Sequence, residues 1–341
     1  MFADFADQWT PVLPSTDVRA KPRRVVVAGE ALVVWRDNAG RAAVLLDRCP
    51  HRSVSLALGS RTREGGLACK FHGWEFGTDG ACAYVPFNPQ APRERLGATA
   101  VPHRELGGML WVYTGFDPQT EPYLPEHLRA DEGAQELTLF YYHEEWDAHW
   151  TRAMENMLDY PHLPFVHRNT IGRFVRAKAT RASRLVFDLT DTAQGFRFGA
   201  QLDDHEPSAW LRWLRPNSMI LDVAPEPRMM RIQIYCIPAE PGRVRMLLVT
   251  ARNFSRNPLA SPAFDRLNVF ILHQDRAVVE SSDPVEVPPG KHEKSVRTDR
   301  PTLEFRSWYL RELKGSNAAP PAPGAPGASA ARAGSGEAGG R

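Results

Sequence analysis

Short apolar runs separated by turn-forming residues characterise the first third of the chain. The runs are rich in β-branched and aromatic residues and are bounded by Gly, Asp or Asn, a pattern that is typical of β-strands. They cover residues 24–28, 31–36, 41–46 and 109–113. We therefore predict an all-β domain over residues 1–117, and we interpret the proline-containing segment 118–125 as a linker.

The periodicity then changes to that of a helix. Trp146, Trp150, Ala153 and Met157 recur at spacings of three and four residues, which predicts an amphipathic helix from about residue 142 to residue 159. The prolines of the segment 160–165 should end this helix.

Strand-like runs return in the second half of the chain and are followed by one more helical stretch. The runs cover residues 183–187, 196–198, 219–223, 230–235 and 244–250, and the helix is predicted over about 263–282. The residues expected on the inward stripe of that helix are Leu267, Phe270, Ile271, Gln274 and Val278. Residues 118–314 are therefore predicted to form an α+β domain, an antiparallel sheet flanked by helices in a helix-grip-like arrangement.

Composition narrows the class of protein. The 341 residues suffice for two domains, and 42 basic against 40 acidic residues favour neither nucleic acid nor a membrane surface as a partner. No apolar run approaches the length of a membrane span and no signal peptide is evident, so we expect a soluble, cytoplasmic protein. Cys82 and Cys236 are interpreted as small buried hydrophobic residues.

The last residues of the chain have a different composition. Residues 315–341 consist mostly of Ala, Gly, Pro and Ser, so we predict a disordered tail that packs against nothing. The tail contains a GSGEAG match to the dinucleotide-binding fingerprint at 334–339, but no strand precedes it and it is not expected to bind a nucleotide.

Two short segments carry the first chemical signal. Cys49-Pro-His51 and Cys69-Lys-Phe-His72 each pair a thiol with an imidazole. Two sulfur and two nitrogen ligands suit a [2Fe-2S] cluster with Cys on one iron and His on the other. A zinc site is the alternative, although zinc knuckles rarely use these spacings. With its flanking Arg and His-Gly-Trp residues, the pair resembles the Rieske [2Fe-2S] family, which implies an electron-carrying cluster held by these four residues.

A second constellation follows at the predicted helix end, where Asn156, Asp159, His162 and His167 occur in order. On this segment alone, a metal site and an ordinary polar helix end are equally good interpretations. Together with the upstream cluster motif, however, the N-x-x-D-x-x-H-x-x-x-x-H pattern resembles the catalytic subunits of Rieske non-heme iron oxygenases. The resemblance implies that His162 and His167 bind a mononuclear Fe(II), with Asn156 near it. It also implies a homotrimer in which Asp159 bridges His162 to His72 of a neighbouring subunit.

Such an iron takes two His and one carboxylate. Asp275 lies at the inward edge of the last predicted helix, whereas Asp265 and Glu280 should point away from that stripe into solvent. Asp275 is therefore the expected third ligand, with Asp283 as the alternative. The segment 274–280 also resembles the ligand-bearing segment of the same family.

The resemblance implies the oxygenase component of a multicomponent enzyme that uses O2 as co-substrate. It takes electrons from NAD(P)H only through a separate reductase, with a ferredoxin as a further candidate partner. Exposed basic residues near the cluster motif offer either a docking patch or a solvated surface; they are Arg48, Arg52, Arg61, Arg63 and Lys70.

The substrate is expected to be an apolar or heteroaromatic small molecule, a natural product or another aromatic compound, with pocket residues from the sheet and the stretch 209–220. The ending 298–308 resembles a subgroup that includes pheophorbide a oxygenase and saxitoxin-pathway hydroxylases. That resemblance favours monooxygenation, by hydroxylation or dealkylation, over dioxygenation. The alternatives are a Rieske-type electron-transfer protein without its own catalysis and an oxidative cyclase on the same scaffold.

Overall fold

The structure is a computed structural model, and it describes residues 1–129, 137–203, 205–207, 210–223, 227–255, 257, 261–290 and 292–315. The predicted disordered tail lies outside the described residues from position 316 onward, and so does its fingerprint match.

The N-terminal third is built from three small antiparallel sheets. Their strand orders are β1-β10-β9, β2-β3-β4 and β5-β6-β7-β8. The strands are β1 (Trp9–Pro14), β2 (Arg23–Val27), β3 (Glu30–Arg36), β4 (Ala42–Leu46), β5 (Ser60–Arg61), β6 (Leu67–Ala68), β7 (Glu75–Phe76), β8 (Cys82–Tyr84), β9 (His103–Leu106) and β10 (Met109–Tyr113). The all-β prediction is confirmed for this part of the chain, and the pattern missed β1 and β9. Cys82 is buried, as predicted.

The second part contains one seven-stranded antiparallel sheet in the order β11-β17-β16-β15-β14-β13-β12. Its strands are β11 (Thr138–Trp146), β12 (Leu185–Thr192), β13 (Gly195–Leu202), β14 (Trp210–Leu214), β15 (Ser218–Asp222), β16 (Met230–Pro238) and β17 (Val244–Arg252). The helices are α1 (Trp150–Leu158), α2 (Leu163–Val166), α3 (Arg173–Lys178), α4 (Ser261–Glu280) and α5 (Arg300–Trp308). The α+β prediction is confirmed, and Cys236 is buried in β16 as expected. The division after residue 117 stays a prediction.

The first predicted helix is partly wrong. Tyr142 and Trp146 belong to β11, and α1 begins only at Trp150. The strand wins because residues 138–146 are an unbroken run of Thr, Leu, aromatic and other residues that suit a pleated ladder, here paired with β17 over its full length. Trp146 is fully buried from the strand and Trp150 from the helix, so their spacing of four is a coincidence of two elements.

The last long helix is correctly placed but wrongly rotated, and it is not the last, since α5 follows it. Its buried residues are Asn268, Leu272, Asp275 and Val279. Leu267, Phe270 and Val278 of the predicted stripe are about half exposed, at 47%, 54% and 49%. Asp275 consequently lies in the middle of the buried face and not on its flank.

Two acidic residues of α4 are not solvated as predicted. Asp265 is paired with the buried Arg252 at 2.8 Å. Glu280 accepts from the backbone N–H of Asp147 at 2.9 Å and pairs with Arg276 at 2.8 Å. Both carboxylates therefore fasten α4 to its surroundings, because each has a fixed partner in or beside the sheet.

The two parts pack against each other through polar contacts and a shared apolar core. Asn217 donates to the Thr10 hydroxyl at 3.0 Å, and the His143 ring lies 2.9 Å from the Asp17 carboxylate. None of the helices in the described part of the chain is long and apolar enough to cross a lipid bilayer.

Candidate metal centres and substrate cavity

The two Cys-His loops have the same backbone design. The N–H of Cys49 donates to the carbonyl of Val54 at 2.9 Å, and the N–H of Cys69 donates to that of Trp74 at 2.8 Å. Each loop also returns an N–H to the Cys carbonyl four residues earlier, from Ser53 in the first loop and Gly73 in the second. Both of these residues have positive φ, 55° and 69°, so each loop is a tight turn with its cysteine at the base.

The side chains of the loops form an inner sulfur pair and an outer imidazole pair. Cys49 and Cys69 are 2% and 3% exposed, and burial together with the neighbouring Cys69 thiol raises the pKa of Cys49. The His51 and His72 rings lie 4.7 Å apart between centroids, and His51 stacks on Trp74 at 4.6 Å. The Nδ1 atom of His51 is buried without a hydrogen-bond partner. These donors fit a [2Fe-2S] cluster with its imidazole side toward solvent.

The second pair of histidines brackets α2. His162 is the N-cap of this four-residue helix and His167 is its C-cap. The short turn brings their ring centroids to 5.1 Å, which a continuous helix would not do at a spacing of five. The chain then folds back tightly, since a Cβ on Gly172 would collide with the carbonyl oxygen of Leu163.

Asp275 of α4 joins these two histidines. Its Oδ1 atom lies 3.1 Å from His167 Nε2 and 3.5 Å from His162 Nε2. The three residues each offer a ligand atom within 4.8 Å of the others. Asp283, the alternative ligand, is exposed in the loop after α4.

Gln274 orients one of these ligands. Its Oε1 atom lies 2.9 Å from Nδ1 of His167 and also accepts from the Thr170 hydroxyl at 2.8 Å. Because an amide oxygen can only accept, Nδ1 carries the proton and Nε2 keeps its lone pair toward Asp275. The sequence pattern placed Gln274 on an apolar stripe and missed this role.

The donor atoms of the triad are left free for a metal ion. Burial lowers the pKa of His162, which keeps the ring in the neutral form that metals bind. Its Nδ1 atom has no hydrogen-bond partner, and Asp275 Oδ1 makes no well-directed hydrogen bond in spite of the nearby rings. Two imidazoles and one carboxylate on one side of a centre are the donor set of non-heme Fe(II) sites with open positions.

The triad lies in the wall of a cavity of about 450 Å³. Apart from the triad, Asn156, Asp159, Tyr160 and Asn268, its lining is aliphatic, aromatic or Met: Met157, Leu163, Ile171, Phe174, Val175, Leu211, Met219, Leu221, Val223, Met230, Ile232, Ile234, Leu248, Phe264, Leu267, Ile271 and Leu272. Leu211, Met219 and Ile220 fall in the stretch 209–220 expected to supply pocket residues, and the first two reach the cavity.

A second, polar cavity of about 240 Å³ shares part of its wall with the first. Asn156 and Asp159 line both cavities, and Asp159 is the extended C-cap that ends α1 at Leu158. Burial, reinforced by the nearby Asp299 carboxylate, raises the pKa of Asp159 to about 6. Asp159 thus separates the triad side from a cavity lined mainly by charged groups.

A closed ring of four charges lines that polar cavity. Arg306 of α5 binds Glu155 through two bonds of 2.6 and 2.9 Å and Glu293 at 2.8 Å. Arg152 contacts the same two carboxylates, at 3.6 and 2.7 Å. The resemblance of segment 298–308 marked this region without indicating that Arg306 reaches α1.

Comparison with known families agrees with this geometry. Residues 8–102 match the Rieske [2Fe-2S] domain, and residues 146–314 match the vanillate O-demethylase oxygenase C-terminal domain. The chain belongs to the Rieske oxygenases. The cofactors of this family are a Rieske [2Fe-2S] cluster and a mononuclear iron, which correspond to the two donor sets described above.

Among similar Rieske oxygenases, the chain is 34% identical over 218 residues to the 3-chlorobenzoate-3,4-dioxygenase oxygenase subunit of Comamonas testosteroni, covering 61% of this chain and 49% of that protein. It is 29% identical over 280 residues to pheophorbide a oxygenase of Arabidopsis thaliana, covering 76% and 50%. The chain thus spans about half the length of the curated relatives it matches. The solved structure of Pseudomonas putida CBB5 NdmA with caffeine has the same fold, with a TM-score of 0.75 at 24% identity over 90% of each chain.

Proposed function

We propose that this chain is the oxygenase component of a Rieske-type system that oxidises an apolar or heteroaromatic small molecule. The observation that carries the proposal is the position of the His162, His167 and Asp275 donor set in the wall of a largely apolar cavity, in a chain that also has the Rieske loops. In this role the cluster supplies electrons and the ferrous centre activates O2.

The chain's own residues give each part its place. Cys49, His51, Cys69 and His72 would hold the cluster, with the exposed His72 as its solvent side. His162, His167 and Asp275 would hold the iron on one face, and the apolar wall beside them holds the substrate and excludes water.

We further propose that Asp159 links the two centres between subunits. Its carboxylate faces both the triad cavity and the polar cavity behind it, and the polar cavity offers room for an imidazole from outside the chain. His72 of a second copy is the proposed occupant, so the active assembly is a ring of subunits, a homotrimer. Asn156, whose Nδ2 atom is buried without a partner, lies in the same wall beside the proposed iron.

Electrons would reach the cluster from NAD(P)H through a separate reductase, with or without a ferredoxin. The support from this chain is its surface around the loops, where Arg48, Arg52 and Lys70 are exposed beside the exposed Phe71. Positive charge around an apolar centre suits an acidic redox protein.

For the reaction we propose monooxygenation, either hydroxylation or oxidative dealkylation. The match of residues 146–314 to a domain named for an O-demethylase supports this choice. The rival function, an electron carrier without catalysis, needs only the Rieske domain and would leave the triad and its cavity without a role.

The test is the iron content and electron paramagnetic resonance of anaerobically purified protein, compared between wild type, Asp275→Ala and Asp283→Ala. We expect one iron fewer per chain in Asp275→Ala, with the signal of the reduced Rieske cluster retained. Asp283→Ala, an exposed carboxylate of the same region, should match wild type. Equal iron in all three proteins would refute the oxygenase proposal and leave the electron carrier.

A further inference from the structure

One polar side chain in the wall of the 450 Å³ cavity belongs to neither metal centre nor to the wall around the triad. Asn268 of α4 lines the cavity and is 7% exposed. Its Nδ2 atom is buried without any hydrogen-bond partner. An unpaired buried amide donor costs about 1–3 kcal/mol, so its presence needs a compensating partner.

The position of Asn268 relative to the triad is set by the helix. Asn268, Leu272 and Asp275 lie on the same buried face of α4. Seven residues of helix separate the first and the last of them by about 10 Å. A ligand that reaches both therefore has a polar group roughly the length of two fused rings away from the group that meets the triad.

The charge of the lining restricts what that polar group is. None of the described residues that line the cavity is Lys or Arg. The nearby Arg252 is fully buried, is paired with Asp265 at 2.8 Å and is absent from the lining. A carboxylate would have to leave water for a wall that is apolar apart from an amide and the acidic end at Asp275, which is strongly unfavourable.

We propose that the substrate is an uncharged molecule whose carbonyl-type oxygen accepts a hydrogen bond from Nδ2 of Asn268, while its oxidised C–H bond lies at the triad end. This rests on the proposed function for the reaction, and it narrows the substrate class to neutral ketones, amides, lactams or esters on an apolar or heteroaromatic frame. It also distinguishes this chain from the relative named for 3-chlorobenzoate, an aromatic carboxylate.

The experiment measures binding of three β-substituted naphthalenes of similar shape by calorimetry, under anaerobic conditions with the holoprotein. Acetylnaphthalene carries a neutral carbonyl, naphthoate carries a carboxylate and isopropylnaphthalene carries neither. We expect acetylnaphthalene to bind about tenfold more tightly than isopropylnaphthalene, as one buried hydrogen bond implies. Naphthoate should bind most weakly.

The variant Asn268→Leu replaces the amide with an apolar group of similar size. We expect it to abolish the tenfold preference by weakening acetylnaphthalene, with isopropylnaphthalene bound as tightly as before or more tightly. The control Arg266→Leu changes an exposed residue of the same helix and should keep the wild-type order. Unfolding by denaturant should show that Asn268→Leu is at least as stable as wild type, since it removes an unpaired buried donor.

Tight binding of naphthoate, an unchanged preference in Asn268→Leu, or no binding of any of the three probes to the folded wild type would each overturn the proposal. The measurement needs neither electrons nor O2. If Asp275→Ala keeps its iron while the carbonyl preference depends on Asn268, the proposed reaction fails and the binding site stands; the reverse pair of results separates the two in the other direction.

Discussion

The ring of His167 is held by Gln274, with Nδ1 of the imidazole 2.9 Å from Oε1 of the amide. These two residues are 107 positions apart in sequence, and the contact fixes both the tautomer and the direction of the ring. Orientation of a metal ligand from outside the ligand set is therefore a property that α4 contributes in addition to Asp275.

Replacing Gln274 by Leu should weaken iron binding at the mononuclear site about 10–100-fold, because His167 loses the partner that orients it. Gln274→Glu, which keeps an acceptor at the same place, should restore most of the affinity. The measurement is competition for Fe(II) with a chelator, with Arg266→Ala as the control on the exposed side of the helix. Equal affinity in Gln274→Leu and wild type would show that His167 is oriented by other contacts.

The two iron sites should be lost independently. Cys69→Ala removes a ligand from the base of one Rieske loop, so we expect the paramagnetic signal of the cluster to vanish while Fe(II) binding at the triad persists. Cys82→Ala is the matched control, since Cys82 is also a buried thiol of the same domain, 8% exposed. Loss of the cluster signal in Cys82→Ala would contradict the assignment of the ligands.

The charge ring between α1 and α5 should matter for stability. Arg306→Met leaves Glu155 and Glu293 without their main partner, and the side chain of Glu155 is only 12% exposed. We expect a loss of about 3–5 kcal/mol in the free energy of unfolding, measured with denaturant, because an uncompensated buried charge remains.

The control for this loss is Arg300→Ala on the same helix, whose pair with Glu304 is exposed and 3.9 Å long. That change should cost at most about 1 kcal/mol. Adding Glu155→Gln to Arg306→Met should recover part of the stability, and a purely additive double variant would argue against coupling in the ring.

His127 should make stability depend on pH. The residue is 8% exposed, and burial lowers its pKa from 6.5 to about 4, with repulsion from Arg231 and Arg212 adding to the effect and attraction to Asp222 opposing it. Between these two pH values the unfolded chain binds a proton that the folded chain refuses. The stability contribution is therefore complete above about pH 6.5 and is lost as the pH falls toward about 4.

At pH 5 the expected deficit from this one group is about 2 kcal/mol relative to pH 7. His127→Leu should lose less stability than wild type over the same interval when both are unfolded with urea. Parallel pH dependence of the two proteins would show that His127 does not titrate in this way.

The sequence revealed the metal ligands better than it revealed the surfaces of the helices. Cys49, Cys69 and their histidines were readable because each loop is a local turn whose ligands lie within four residues. The rotation of α4 was misjudged because Leu267, Phe270 and Val278 are apolar and yet half exposed, while the buried face carries the polar Asn268 and Asp275. Polar residues on a buried helical face depend on contacts made by distant strands and loops, which periodicity does not encode.

The start of α1 was misjudged for a related reason. Trp146 and Trp150 are spaced as on one helical ridge, but the pairing of β11 with β17 satisfies nine backbone positions of residues 138–146, and no helix of that segment would do so. The signal that was present is the run of aromatic and Thr residues, which suits a strand edge.

The placement of Asn268 and Asp275 on one face of α4 bears on how this enzyme can diversify. The residue proposed to select the substrate and the residue proposed to hold the metal are carried by one stiff rod, so their separation is not altered when surrounding loops change. New substrate preferences are accordingly accessible through exchanges at positions 268 and 272 alone, with the reactive end left intact. A library restricted to those two positions explores altered recognition without the loss of turnover that accompanies changes near a metal.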